Sequence, residues 1–175
     1  MFIVGVVIST GMGINNLDFT DAFPSCEVKV SEVVFQDRPE PSDYLLVVEA
    51  ARELESQDID FICLIGSSRG VGPAQLALAE TPELFDKYVA ISGAGGPFWG
   101  VEEFIRSVSC PVLQMAGEDE QENMLRRMDL LNFYLQNYGH DAEFNYYPGK
   151  HGFLSESREA QKDLNNFICY TEEEN

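Results

Sequence analysis

Short apolar runs rich in β-branched residues alternate with longer amphipathic stretches along the chain, and this alternation constrains the fold more than any other feature. The pattern is typical of a parallel sheet covered by crossover helices. We predict six strands, at residues 2–9, 28–35, 60–65, 87–92, 111–116 and 143–147. Helices are predicted at 16–23, 41–56, 101–108, 122–138 and 154–170, with another after Gly66 that ends near Glu80. We therefore expect one doubly wound α/β domain over residues 1–175, with helices on both faces and a frayed acidic tail at 171–175.

The charge of the chain excludes some classes of partner. Eleven Lys and Arg residues stand against 30 Asp and Glu residues, which gives a formal net charge of −19. A surface this acidic repels phosphate backbones and anionic lipid headgroups, so we expect no nucleic-acid partner and no membrane partner.

The cysteines and the start of the chain bear on its compartment. The four cysteines, Cys26, Cys63, Cys110 and Cys169, form no CxxC pair and have no metal-ligand spacing. Cys63 lies in an apolar run, and Cys110 immediately precedes another. Residues 1–7 lack the basic region and cleavage site of a signal peptide. No apolar run approaches the ~20 residues that span a bilayer. We therefore predict a cytoplasmic protein with reduced thiols and with no metal or organic cofactor.

Three turns that follow predicted strands hold residues suited to nucleophilic catalysis. Ser68 lies in a G-x-S-x-G sequence between a buried strand and a helix, where the glycines permit the sharp turn that exposes a serine hydroxyl. An acidic run, Glu118 to Glu120, follows the fifth strand, and His151 follows the sixth. The other histidine, His140, precedes a strand and so lies at the opposite edge of the sheet. The order serine, acid, histidine is the order that α/β-hydrolases use.

The motifs GSSRG, PELFDKYVAISG, PVLQMAGEDE and YPGKHGF together carry a family resemblance. The stretch from about Phe61 to Phe167 resembles the C-terminal half of α/β-hydrolase superfamily proteins, particularly the capless dienelactone-hydrolase-like and small carboxylesterase branches. The resemblance implies a serine hydrolase that acts on a small-molecule carboxylic ester or thioester. Ser68 would be its nucleophile and His151 its general base.

The resemblance leaves the orienting acid open between two residues. Family spacing of three residues after the glycine selects Glu120, whereas most members carry an Asp, which favours Asp119. The oxyanion hole implied by the family consists of the backbone N–H of Arg69 and one from Gly11 or Met12.

The chain also departs from the family. The strands that usually precede the oxyanion loop have no counterpart, which predicts a shorter sheet with an exposed edge and makes a homodimer a hypothesis. Thr10 stands where many members have His, and no insertion is large enough for a cap, so we expect an open site. Its aromatic lining is expected to come from Trp99, Phe98 and Phe153. The Arg69 side chain is expected to face solvent, with steering of an anionic substrate as the alternative.

Two other functions remain as alternatives. The first is a catalytically silent α/β-hydrolase fold that serves as a binding or scaffold module. The second, more remote, is a short-chain dehydrogenase, since Tyr146 and Lys150 have the Tyr-x-x-x-Lys spacing of its catalytic pair. Pro148 and Gly149 lie between them and oppose the helix on which that pair must lie.

Overall fold

The computed structural model describes residues 3–11, 26–96 and 99–169, which contain a six-stranded parallel sheet. The strands are β1 (Ile3–Gly11), β2 (Glu27–Phe35), β3 (Phe61–Ser67), β4 (Lys87–Ile91), β5 (Val112–Gly117) and β6 (Ala142–Tyr147). All six predicted strands are confirmed, with bounds that differ by one or two residues. The central strands β3 and β5 are buried along almost their whole length, as strands covered on both faces should be.

The order of the strands in the sheet is β2-β1-β3-β4-β5-β6. In the sheet, β2 therefore lies on one side of β1, and β3 to β6 follow in order on the other side. This reversal puts a topological switch point between β1 and β3, where ligands bind beyond the carboxyl ends of the strands. It also sends the crossovers to both faces of the sheet, because parallel connections are right-handed.

Two layers of helices enclose the sheet. The helices are α1 (Tyr44–Glu55), α2 (Val71–Glu80), α3 (Val101–Ser107), α4 (Glu122–Asn137), α5 (Phe153–Glu156) and α6 (Arg158–Cys169). On one face, α1 to α4 bury side chains such as Leu54, Leu78 and Leu135. On the other face, α5 and α6 bury side chains such as Leu164 and Ile168. The predicted doubly wound α/β fold is thereby confirmed.

The last helix differs from its prediction. A single helix at 154–170 was expected, but the chain forms two helices that are separated at Ser157. The backbone of Ser157 is extended, and its hydroxyl accepts a hydrogen bond from the N–H of Ala160 at 3.2 Å. Ser157 thus satisfies a free N–H in the first turn of α6, because serine competes with helix continuation for backbone hydrogen bonds.

The prediction of four reduced thiols is wrong for two of the cysteines. Cys26, just before β2, and Cys169, at the end of α6, form a disulfide although 143 residues separate them. Cys63 and Cys110 are free and buried, and burial raises the pKa of both thiols, that of Cys110 to about 12. These two behave as small apolar side chains rather than as nucleophiles.

Strand β2 lies at one edge of the sheet, and Val30 and Val34 on it are exposed. The homodimer that we inferred from an exposed edge stays a prediction. In the described part of the chain, no helix has the length and apolar character needed to cross a membrane. The predicted helix at 16–23 and the tail at 171–175 lie outside the described residues.

Candidate active site

The turn after β3 presents Ser68 in a conformation that is unusual for a residue with a side chain. Ser68 has a φ of +51° and begins a single turn of 3-10 helix, Ser68–Gly70, that leads directly into α2. A left-handed conformation at a non-glycine residue costs roughly 1–3 kcal/mol and is kept only where the surrounding structure imposes it. Here it places the hydroxyl beyond the carboxyl end of β3, at the switch point of the sheet.

The two glycines of the G-x-S-x-G sequence are required by close packing on both sides of Ser68. A Cβ on Gly66 would lie 3.0 Å from Ala74 in α2, and a Cβ on Gly70 would overlap the backbone of Ser9 in β1. The Ser9 hydroxyl also donates a hydrogen bond of 2.8 Å to the carbonyl of Gly70. The turn is therefore held tightly between β1 and α2.

A chain of two hydrogen bonds joins Ser68, His151 and Glu120. The Nε2 atom of His151 lies 2.9 Å from the Oγ of Ser68, and its Nδ1 lies 2.6 Å from the Oε2 of Glu120. Asp119 is exposed, and its backbone N–H donates to the carbonyl of Gly149 at 2.9 Å. Of the two predicted acids, it is therefore Glu120 that contacts the histidine.

The environment of Glu120 favours its ionised form. Its side chain is only 6% exposed, and this burial opposes ionisation, but the Gln121 N–H and His151 outweigh it and hold the pKa of Glu120 below its usual range. A carboxylate only accepts hydrogen bonds, so the proton between the two side chains lies on Nδ1 of His151. In that tautomer, the Nε2 atom of His151 accepts a hydrogen bond from the Ser68 hydroxyl.

Ser92 is a site residue that the sequence analysis did not identify. It follows β4 with a φ of +49°, and its side chain is almost fully buried. Its hydroxyl lies near the carboxylate of Glu120 and helps to lower the pKa of that carboxyl, although it forms no hydrogen bond of normal geometry with the described residues. The signal available in the sequence was its place directly after a strand, between the strands that carry Ser68 and Glu120.

The residues predicted for the oxyanion hole are described in part. Gly11 ends β1 beside the turn that carries Ser68, and a Cβ on it would lie 3.0–3.2 Å from the side chain of Arg69. Met12 lies outside the described residues. The carboxyl end of β1 and the turn that carries Ser68 are thus in direct contact.

A pocket of about 350 Å³ opens beside Ser68. Its lining includes the backbone of Gly93 to Gly96, the side chain of Trp99 and three arginines. The indole of Trp99 covers Gly72 of α2, where a Cβ would come within 2.5 Å of the ring. Of the other predicted aromatic residues, Phe98 lies outside the described residues, and Phe153 packs in the core, stacked on Tyr147, instead of lining the pocket.

Solved structures with the same fold are numerous at low sequence identity. The chain is similar to Est1E from Butyrivibrio proteoclasticus, with 13% identity, a TM-score of 0.67, and coverage of 93% of this chain and 86% of that one. A putative esterase from Staphylococcus aureus gives 16% identity, a TM-score of 0.71, and coverage of 97% and 77%. An acylaminoacyl peptidase from Pyrococcus horikoshii gives 13% identity and a TM-score of 0.68, and this chain spans only 38% of its length.

The chain has the α/β-hydrolase fold. At these identities the likeness concerns the fold alone. No family model matches the chain, and no curated protein sequence does.

Tyr146 and Lys150 do not form the catalytic pair of a short-chain dehydrogenase, which lies on one face of a helix. Tyr146 lies in β6 rather than on a helix, and its hydroxyl donates a hydrogen bond of 2.6 Å to Asp129. Lys150 lies in the loop that follows the strand, so the two do not share a helical face. Their spacing in the sequence is therefore coincidental.

The second histidine of the chain lies away from Ser68. His140 precedes β6 and so lies at the opposite edge of the sheet, where its Nε2 atom is 2.5 Å from the carbonyl oxygen of Ile105. Within residues 3–11, 26–96 and 99–169, no cluster of three His, Cys, Asp or Glu residues is arranged to hold a metal ion.

Proposed function

We propose that this protein is a serine hydrolase that cleaves a carboxylic ester or thioester through an acyl-Ser68 intermediate. The observation that carries the proposal is the pair of hydrogen bonds, 2.6 and 2.9 Å long, that joins Glu120 to His151 and His151 to Ser68. A serine hydroxyl becomes a nucleophile when a neighbouring base removes its proton and a third group orients that base.

In the first half of the reaction, Ser68 Oγ attacks the carbonyl carbon while its proton passes to Nε2 of His151. The negative charge that develops on the carbonyl oxygen is stabilised by the backbone N–H of Arg69 and a second N–H from Gly11 or Met12. Such donors contribute about 3–4 kcal/mol each to the transition state. When the tetrahedral intermediate collapses, the bond to the alcohol or thiol breaks, and His151 returns the proton to that leaving group.

In the second half, water replaces the leaving group. His151 removes a proton from the water, the resulting hydroxide attacks the acyl carbon, and the Ser68–acyl bond breaks. The proton returns to Ser68, and a carboxylic acid is released. Throughout, the ionised Glu120 keeps the Nδ1 proton in place and stabilises the positive charge on the imidazole ring.

The structural neighbours support this class of reaction. The Staphylococcus aureus protein is described as a putative esterase, and the Pyrococcus horikoshii protein is described as an acylaminoacyl peptidase. Amide cleavage therefore belongs in the substrate panel beside esters and thioesters.

The test is labelling with a fluorophosphonate, which reacts covalently with activated serines. We expect the wild-type protein to be labelled and the variants Ser68→Ala and His151→Ala to lose the label. Ser67→Ala and His140→Ala are matched controls, because each removes the neighbouring serine or the other histidine without touching the hydrogen-bonded chain. If folded wild-type protein takes up no probe, the hydrolase proposal fails and the fold serves as a binding module instead.

A further inference from the structure

The pocket beside Ser68 concentrates positive charge in a strongly acidic protein. Arg38, Arg69 and Arg127 all line it, although the chain has only 11 Lys and Arg residues and a formal net charge of −19. Among the described residues, no Asp or Glu lines the same pocket. The distribution of charge in the pocket is thus opposite to that of the whole chain.

These arginines come from three separate parts of the fold. Arg38 follows the end of β2, Arg69 lies in the turn beside Ser68, and Arg127 lies on α4. The stem of Arg69 lies over Gly11, and the guanidinium of Arg127 lies 3.0 Å from the position that a Cβ on Gly96 would take. Both glycines leave room for the arginines at the rim of the pocket.

None of these guanidinium groups is paired with a carboxylate of the described residues. Within residues 3–11, 26–96 and 99–169, none of the three forms an ion pair. The nearby arginines Arg106 and Arg126 behave differently, because each pairs with a glutamate one turn away on its own helix. The three arginines are exposed, and like charges that line one pocket without a described counter-ion repel one another, so a bound anion would be favoured there.

We propose that the natural ester carries a second, anionic group, a carboxylate or a phosphate, which these arginines bind while Ser68 attacks the acyl carbon. This inference rests on the proposed hydrolase function and specifies its substrate class. Guanidinium groups suit the task because their planar donors match carboxylate and phosphate oxygens in pairs. A local cationic pocket also offsets the repulsion that the acidic surface exerts on an approaching anion.

A second cavity indicates where the uncharged part of such a substrate lies. A groove of about 490 Å³ between α3 and α4 adjoins the pocket and shares Arg127 and Gly95 with it. Its lining is mainly apolar and includes Val101, Ile105 and Leu131. Arg127 therefore lies at the boundary between a cationic pocket and an apolar groove.

The test compares paired esters in which one member carries a carboxylate and the other carries a neutral group at the same position. The first pair is 4-nitrophenyl hemiglutarate and 4-nitrophenyl valerate, which place a carboxylate or a methyl group at the end of the acyl chain. The second pair is 4-acetoxybenzoate and its methyl ester, which place the charge on the leaving group. In at least one pair, we expect the wild-type kcat/KM to favour the anionic ester, and Arg127→Gln, Arg69→Gln and Arg38→Gln to reduce that preference, by about tenfold or more for the arginine in closest contact.

Arg126→Gln is the matched control, because this arginine precedes Arg127 on the same helix but pairs with Glu122 at 2.6 Å. It should keep the wild-type ratio. The inference is overturned if neither pair shows a preference for the anion, or if the three pocket variants lose activity equally on charged and neutral esters. Labelling of Ser68 by a neutral fluorophosphonate separates this failure from failure of the hydrolase proposal, since labelling does not require an anionic substrate.

Discussion

The carbonyl oxygen of Gly149 occupies the space that a Cβ on Gly117 would need, and the carbonyl of Lys150 lies 2.6 Å from the same point. The end of β5 and the loop that carries His151 are therefore packed backbone against backbone. We expect Gly117→Ala to displace this loop, to lower the free energy of unfolding by about 1–3 kcal/mol, and to slow fluorophosphonate labelling. Chemical denaturation and labelling kinetics measure the two effects.

The control for this variant is Gly152→Ala, in the same loop. A Cβ on Gly152 meets no atom within 4 Å, and its φ of −95° is accessible to alanine. It should be stable and label at the wild-type rate. Equal effects in the two variants would contradict the packing argument.

Glu120 and Asp119 should differ sharply as sites of substitution. Glu120→Gln removes the charge that holds the Nδ1 proton of His151, so we expect kcat to fall by a factor on the order of 10²–10⁴. Asp119→Asn changes an exposed side chain and should leave kcat within a few-fold of the wild-type value. Ester hydrolysis by the two purified variants decides between them, and a larger loss in Asp119→Asn would assign the acid to the other residue.

The charge of Glu120 should also appear in the pH dependence of stability. Because its pKa is lowered in the folded state, the folded protein binds this proton less readily than the unfolded chain does. The stabilisation is complete above the unfolded pKa of about 4.3 and is lost as the pH falls through the folded value. The difference in unfolding free energy between wild type and Glu120→Gln, measured by urea denaturation, should therefore shrink below about pH 4.3. A difference that grows on acidification would contradict this.

The disulfide between Cys26 and Cys169 can be tested by counting reactive thiols in solution. We expect the denatured, unreduced protein to expose two reactive thiols, those of Cys63 and Cys110, and the reduced protein to expose four. Because the bond closes a long loop, its reduction should lower the unfolding free energy by about 2–4 kcal/mol. The double variant Cys26→Ser/Cys169→Ser should show no further loss on addition of reductant. Four reactive thiols before reduction would show that the bond does not form.

The strands and the turn that carries Ser68 could be predicted because their signals are local. The run at 60–65 is apolar throughout, and the glycines around Ser68 are forced by contacts with the adjacent strand and helix. The contact between Glu120 and His151 needed the resemblance as well, since Asp119 lies one residue away and is chemically equivalent. A difference of one residue in a loop changes the direction of a side chain, which the sequence does not reveal.

Features that depend on distant residues could not be predicted. Cys26 and Cys169 show no useful spacing, because their contact arises from the position of α6 beneath the sheet. Arg127 joins the pocket of Ser68 from a helix 59 residues further along the chain. Phe153 follows His151 closely, yet the first turn of α5 directs its ring into the core.

The order of the strands sets the path of the loop that carries the histidine. Ser68 follows β3 and His151 follows β6, three positions away in the sheet. Neighbouring strands are about 4.8 Å apart, so the imidazole must return across roughly 14 Å to reach the serine. Three residues lie between the end of β6 and His151, and they bend instead of running extended. The loop crosses this distance over the end of β5, where Gly149 packs on Gly117, and the side chains of His151 and Ser68 span the rest.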